Sequence, residues 1–138
     1  MKIYFAGSIR GGRADKELYF KIIEILSKYG EILTEHVGNK KLSHTGEDGQ
    51  NDKYIYDRDM QWLEQADVVI AEVSTPSLGV GYEIAKAEGS KRTLCIYRPE
   101  EGRFLSAMVG GNKNLILKEY STIDDIKKVF NEFFAEKV

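Results

Sequence analysis

Val68-Val-Ile-Ala-Glu-Val73, Ser74-Thr-Pro-Ser-Leu-Gly79 and Val80-Gly-Tyr-Glu-Ile-Ala-Lys-Ala-Glu88 follow one another without a break, and their reading decides the fold. The first six residues form the most hydrophobic run in the chain. They lack the in-and-out alternation of a strand wetted on one face, so they read as a central strand buried on both faces. The next segment, with its proline and glycine, ends the strand in a loop. Apolar spacing over Val80 to Glu88 then predicts a helix. Strand, short loop and helix in that order form the repeating half of a parallel α/β layer structure.

The same alternation extends in both directions. Lys2-Ile-Tyr-Phe-Ala-Gly7 reads as a first strand. Leu18, Ile22, Ile25, Leu26 and Tyr29 have helical spacing within Ala14 to Tyr29, and Gly30 is expected to stop that helix. Glu31-Ile-Leu-Thr-Glu-His36 reads as a second strand, and the polar stretch Gly38 to Gln50 as a loop. Asp52 to Ala66 is helical, with Ile55, Trp62, Leu63 and Ala66 on one side. Thr93 to Tyr97 and Leu115 to Tyr120 supply two more strands. Ser121 or Thr122 caps a last helix that turns Ile126, Val129, Phe130 and Phe133 inward. Five strands separated by helices imply one doubly wound α/β domain over residues 1–138, flavodoxin-like or Rossmann-like, with helices on both faces of a parallel sheet. Ligands bind such sheets at the carboxyl ends of the strands, near the switch in strand order. The loops after Gly7, His36 and Val73 are therefore expected around one cleft.

Bulk composition narrows the functional classes. The 138 residues suit a single domain, and 42% apolar content allows a sizeable core. Twenty basic against 22 acidic side chains give a net charge of −2. That balance disfavours a protein that coats nucleic acid, but a small anionic ligand needs only a local pocket. Cys95 is the sole cysteine, so no disulfide can form within the chain, and its strand context reads as core packing. No leader-like or membrane-length apolar run is seen, so a reducing cytoplasm is the expected compartment.

Two acids stand where a helix should be apolar. Asp59 lies four residues from both Ile55 and Leu63 and shares their face. Glu83 sits near the start of its helix, beside Val80 and Ala87, on a face of small apolar residues. A carboxylate there is costly unless compensated. Each alone reads as a buried acid satisfied by backbone donors or an arginine. Together at one cleft mouth they point to catalysis, because enzymes place carboxyl groups where their proton affinities are pushed apart. Asp67 fits a helix-to-strand turn. Glu72 reads as pointing to solvent at its strand end, with a contact to ligand as the alternative.

The loop Gly7-Ser-Ile-Arg-Gly-Gly-Arg13 can hold an anion. Its glycines allow close backbone approach, Ser8 offers a hydroxyl, Arg10 offers a forked cation, and a helix start follows. An ordinary turn is the alternative reading. Ser77 and Gly79 supply similar donors just ahead of Glu83. His36 is placed to touch a ligand, whereas His44 lies in the polar loop. The histidines lack metal-ligand spacing and no acidic cluster forms a cation loop, so no metal is expected.

At this point the motifs themselves carry a likeness. Tyr4-Phe-Ala-Gly-Ser-Ile-Arg-Gly-Gly-Arg13, Leu33-Thr-Glu-His-Val37, Asp59-Met-Gln-Trp-Leu-Glu-Gln-Ala-Asp-Val-Val69, Ala71-Glu-Val73, Pro76-Ser-Leu-Gly-Val-Gly-Tyr-Glu83 and Leu105-Ser-Ala-Met108 together resemble the nucleoside 2-deoxyribosyltransferase family. The likeness runs over nearly the whole chain, and the His36 to Asn51 segment matches poorly. It implies a homodimer and a two-step retaining cleavage of an N-glycosidic bond without a cofactor. Glu83 would attack the anomeric carbon, Asp59 would support proton delivery to the departing base, and Tyr4 would position Glu83 and the sugar. Gly7, Ser8, Ile9, Arg10, Gly11, Gly12 and Arg13, with His36, Ser77 and Gly79, would hold the substrate. Ser106, Ala107 and Met108 would reach into the partner's site.

Within that family the transferase branch typically carries an acid where this chain has Ser77 and an asparagine where it has Ser106. Serine donors with Arg10 instead favour a 5'-monophosphate, and Ile9 offers a ribose 2'-hydroxyl no hydrogen bond. The expected activity is hydrolysis of 2'-deoxynucleoside 5'-monophosphates. Transfer between bases and cleavage of ribonucleotides such as cytidine monophosphate are the alternatives within the family. A nucleotide-binding sensor without turnover is the alternative outside it, although such a protein has no need of the Asp59–Glu83 pair.

Overall fold

The structure is a computed structural model and describes residues 1–9, 15–34, 51–100 and 104–136. In chain order it contains β1 (Lys2–Ala6), α1 (Lys16–Leu26), β2 (Glu31–Ile32), α2 (Asp52–Gln65), β3 (Val68–Glu72), α3 (Leu78–Ala87), β4 (Arg92–Tyr97), α4 (Ala107–Gly110), β5 (Ile116–Glu119) and α5 (Ile123–Ala135). The strands form one sheet in the order β2-β1-β3-β4-β5. Every pairing is parallel, with Tyr4 opposite Val69 and Val69 opposite Thr93. β3 is central and buried along its whole length, as its unbroken apolar run predicts. The chain leaves β1 towards β2 on one side and returns to β3 on the other, so the switch in strand order lies between β1 and β3.

Side-chain alternation divides the core in two. Ile3, Phe5, Val68, Ile70, Leu94 and Ile96 face α1 and α5, packing on Tyr19, Ile22, Leu26, Phe130 and Phe133. Burying each of these large side chains contributes about 1.5–3 kcal/mol. Tyr4, Ala6, Val69, Ala71 and Cys95 face α2 and α3, against Leu63, Ala66, Val80, Ile84 and Ala87. Many side chains on this second face are small, and Tyr4 is the bulky one among them. Cys95 is fully buried there, and burial pushes its thiol up to about 12, as suits a core residue.

Several boundaries depart from the sequence reading. β2 ends at Ile32 rather than His36. The Thr34 hydroxyl accepts from the Phe5 amide at 2.8 Å and donates to the Phe5 carbonyl at 2.7 Å, taking the groups that a longer β2 backbone would use. α1 ends at Leu26, before Gly30. Gly30 has another purpose: a Cβ there would stand 2.3 Å from the Met1 carbonyl oxygen, so the close passage of the chain excludes any side chain. α3 begins at Leu78 instead of Val80 because Ser77 caps it, accepting from the Val80 amide at 3.2 Å. Thr122, and not Ser121, caps α5 in a reciprocal box with Asp125. The short α4 was not expected; Ser106 caps it.

Glu72 reverses its expectation. It shares the parity of Val68 and Ile70, points under the α1/α5 face and is fully buried. Its carboxylate accepts from the Ser74 amide at 2.8 Å, from the Ser74 hydroxyl at 2.7 Å and from the Tyr120 hydroxyl. Ser74 Oγ in turn accepts from the Arg98 amide, while the Arg98 guanidinium pairs with Asp15 at 2.8 Å. Three donors make the burial of this acid tolerable. Asp67 behaves as expected: it sits between α2 and β3 and accepts from the Lys2 amide at 2.7 Å.

Candidate active site

At the carboxyl ends of β1 and β3 a cavity of about 680 Å³ opens between α2 and α3. Among the residues expected at the site, Gly7, Ile9, Asp59, Ser77, Gly79 and Glu83 line it. Ile55, Met60 and Leu78 give it an apolar wall, and Asp52, Tyr56 and Tyr82 add polar groups that the sequence reading did not single out. Asp52, Ile55 and Asp59 follow one another at helical spacing on α2, which is a signal the sequence does contain.

Glu83 is half-buried and lies on the cavity wall. The buried Tyr4 rises from β1 beneath it, and its hydroxyl donates to Glu83 Oε2. Burial is the main force that raises the Glu83 carboxyl to about 7, and the negative charge of Asp59 adds to it. The Tyr4 bond works the other way and lowers it. Tyr4 itself is pushed far above the ordinary phenol range, first by burial and then by the charges of Glu83 and Asp59. Tyr4 is therefore a neutral donor at any working pH, and Glu83 is poised to change charge near neutrality.

Asp59 is less enclosed than its face predicts, with a side chain 21% exposed. The Arg58 guanidinium donates to its Oδ1 through Nε at 3.1 Å and an Nη at 3.0 Å. Ion pairing answers the burial question for Asp59 without removing it from the cavity. Across the mouth, the Tyr56 and Tyr82 hydroxyls stand 3.1 Å apart and link α2 to α3.

The loop residues divide. Ser8 is fully buried; its amide donates to the Tyr19 hydroxyl at 3.2 Å, and its Oγ has no hydrogen-bond partner among the described residues. Packing at Gly7 is tight, since a Cβ would meet the Tyr19 ring at 3.0 Å. At Gly79 the nearest atom to an added Cβ would be Ser77 Oγ at 3.9 Å, so protein packing leaves room there. Ser77 Oγ accepts from Val80 and retains its own proton to donate, at the start of a ten-residue helix where an anion is favoured. Arg10, Gly11, Gly12, Arg13, His36 and His44 lie outside the described residues, as does the loop 38–50. Among the described residues no cluster of histidine, cysteine and acidic side chains can hold a metal.

Ser106 and Met108 do not reach the Glu83 cavity of their own chain. They line a second hollow of about 380 Å³ beside it, with Ser77 and Val80 forming walls of both, and Ala107 lines neither. Phe104 and Met108 stand 89% and 83% exposed at its edge.

Comparison with known proteins places the chain among relatives. A 5-hydroxymethyl-dUMP N-hydrolase of Tetraodon nigroviridis is 49% identical over 142 residues, covering 99% of each chain. One of Esox lucius is 50% identical over 140 residues, covering 97% of this chain and 96% of its own. In structure, the CMP N-glycosidase of Clostridium botulinum superposes with a TM-score of 0.65 over 96% of this chain and 99% of its own, at 17% identity, a likeness of fold. The family model described as nucleoside 2-deoxyribosyltransferase matches residues 3–132, and with the relatives' identity this shows that the chain belongs to the nucleoside 2-deoxyribosyltransferase family.

Proposed function

We propose that the protein is an enzyme that hydrolyses the N-glycosidic bond of 2'-deoxynucleoside 5'-monophosphates, releasing the free base and 2-deoxyribose 5-phosphate. The Glu83 carboxylate, held by the Tyr4 hydroxyl in a cavity shared with Asp59, is the observation that carries this reading. The names of the close relatives point to hydrolysis of a pyrimidine deoxynucleotide.

In the proposed reaction a Glu83 oxygen attacks the anomeric carbon as the bond to the base breaks. The bonding pair leaves with the base, which takes up a proton with the support of Asp59. Charge building on the sugar is met by the carboxylate beneath it, as in retaining glycosidases. Water then attacks the anomeric carbon of the glycosyl ester, its proton replaces the one taken up by the base, and the bond from the sugar to Glu83 breaks to free the carboxylate. Tyr4 holds the nucleophile in place without competing as an acid. The 5'-phosphate is assigned to Ser8, Ile9, Ser77 and Gly79 with Arg10, Gly11, Gly12 and Arg13, and His36 to a substrate contact. The buried Ser8 Oγ and the free proton of Ser77 support that assignment. No cofactor is part of this scheme. The working unit is a homodimer in which Ser106, Ala107 and Met108 complete the partner's site, supported by the exposed Phe104 and Met108. The compartment is the cytoplasm; no helix among the described residues is long and apolar enough to cross a membrane.

The test is base release from 5-hydroxymethyl-dUMP and other deoxynucleoside monophosphates. Release is expected and should fall by at least a thousandfold in Glu83→Ala. A deoxynucleoside lacking phosphate should show a much lower kcat/KM than its monophosphate. Equal values for the two would remove the phosphate assignment. A second base supplied as acceptor should not accumulate as a new nucleotide.

A further inference from the structure

Arg58 and Asp59 are neighbours in sequence on α2, where successive side chains point about 100° apart and do not ordinarily meet. Here they do: both Nε and an Nη of Arg58 reach the same Asp59 oxygen, at 3.1 and 3.0 Å. The cause lies one turn to each side. The Arg58 guanidinium carbon is 4.6 Å from the centre of the Trp62 ring and 5.6 Å from that of Tyr54, the residues at i+4 and i−4. A delocalised, weakly hydrated guanidinium stacks on such rings, and its fork still points outward along the plane. The side chain is only 16% exposed, although arginine on a helix is normally a solvent residue. An exposed ion pair of adjacent residues is worth little. A sheltered one on an aromatic tray, beside a cavity, has fixed geometry.

We propose that Arg58 is a positioning residue of the active site: seated on Trp62 and Tyr54, it fixes the Asp59 carboxylate at the cavity wall and offsets its negative charge on the Tyr4–Glu83 pair. Arg58 touches neither Tyr4 nor Glu83 through any hydrogen bond, yet its charge acts on the Tyr4 hydroxyl in the direction opposite to that of Asp59. Among the described residues, the other titratable groups around the cavity are Asp52 and Tyr56 on α2, and Tyr82 with the neighbouring Lys86 on α3. None of these described groups supplies a guanidinium, so removal of Arg58 leaves the charge of Asp59, which acts on both Tyr4 and Glu83, less compensated from α2. The inference rests on the proposed reaction for its rate consequence, but its electrostatic consequence is independent of any substrate.

The experiment compares Arg58→Met, which keeps length and ring packing, with Arg58→Lys, which keeps charge and loses the fork. The Glu83 carboxyl is titrated by carbon-13 NMR in each, and base release from 5-hydroxymethyl-dUMP is measured alongside. In Arg58→Met the Glu83 midpoint should rise by roughly half a unit or more, with Arg58→Lys close to the parent. kcat should fall about tenfold or more in Arg58→Met and less in Arg58→Lys, with KM changed under threefold. A Glu83 midpoint unmoved in a folded Arg58→Met protein overturns the proposal, whether or not the parent releases base. An inactive parent instead defeats the functional reading alone, because the titration still decides the role of Arg58.

Discussion

Glu83 concentrates the consequences at the scale of a single residue. Its carboxyl is raised to about 7, mainly by burial. A nucleophile must be ionised, so kcat/KM should climb with pH through an acid limb near 7, as a pH–rate profile will show. The same shift acts on stability with the opposite sense. The folded value lies above that of the unfolded chain, so the contribution of this group is fully present below about 4.5 and is lost as pH rises through about 7. Glu83→Gln keeps an acceptor for the Tyr4 hydroxyl and removes the charge. It should therefore be more stable than the parent at pH 8, by on the order of 1–3 kcal/mol, and nearly equal at pH 4, in urea melts at the two pH values. Activity and stability pull apart at this residue, as expected where a charge is held in a poor environment for the sake of chemistry.

At the scale of elements, the site depends on where strands stop. β1 carries Tyr4 and delivers Gly7 and Ser8 to the cleft, and its outer edge is closed beyond Ile32 by a side chain in place of a strand. Thr34→Val keeps the shape and leaves the buried Phe5 amide and carbonyl unpaired. Its cost should be about 2–4 kcal/mol, read as a lower urea midpoint at unchanged slope. Such a boundary was invisible beforehand because Leu33-Thr-Glu-His36 has acceptable strand propensity. Threonine as strand residue and threonine as strand terminator differ only in the neighbour that the hydroxyl meets. By contrast, the extents of α2, β3 and β4 were legible to within a residue, since their apolar periods are long and unambiguous.

For the whole molecule, the second hollow has an exposed apolar edge. Phe104 and Met108, nearly bare in the single chain, lie beside Ser106 in the hollow that shares Ser77 and Val80 with the Glu83 cavity. If the proposed homodimer forms through this edge, Phe104→Asp should shift the solution mass from dimer towards monomer in light scattering and lower base release together with it. A dimeric mass and full activity in that variant would remove the partner's role.

The order of strands and helices, the buried central β3 and the suspicion attached to Asp59 and Glu83 were all present in the linear pattern. Each depends on spacings of two to four residues, which helix and strand geometry convert directly into a face. The sequence by itself determined that two acids would stand on helix faces meant for apolar groups. Only the tertiary structure decided what each acid meets. Tyr4 finds Glu83 across 79 positions and Tyr120 finds Glu72 across 48, because parallel pairing of β1 with β3, of β3 with β4 and of β4 with β5 brings distant segments into register. Glu72, read from the sequence as solvent-facing, is held by three donors, whereas Glu83 is held by a single phenol beside an open cavity. The physical reason is that burial and partner geometry set a carboxyl group's behaviour, and both are properties of the assembled fold rather than of the local chain.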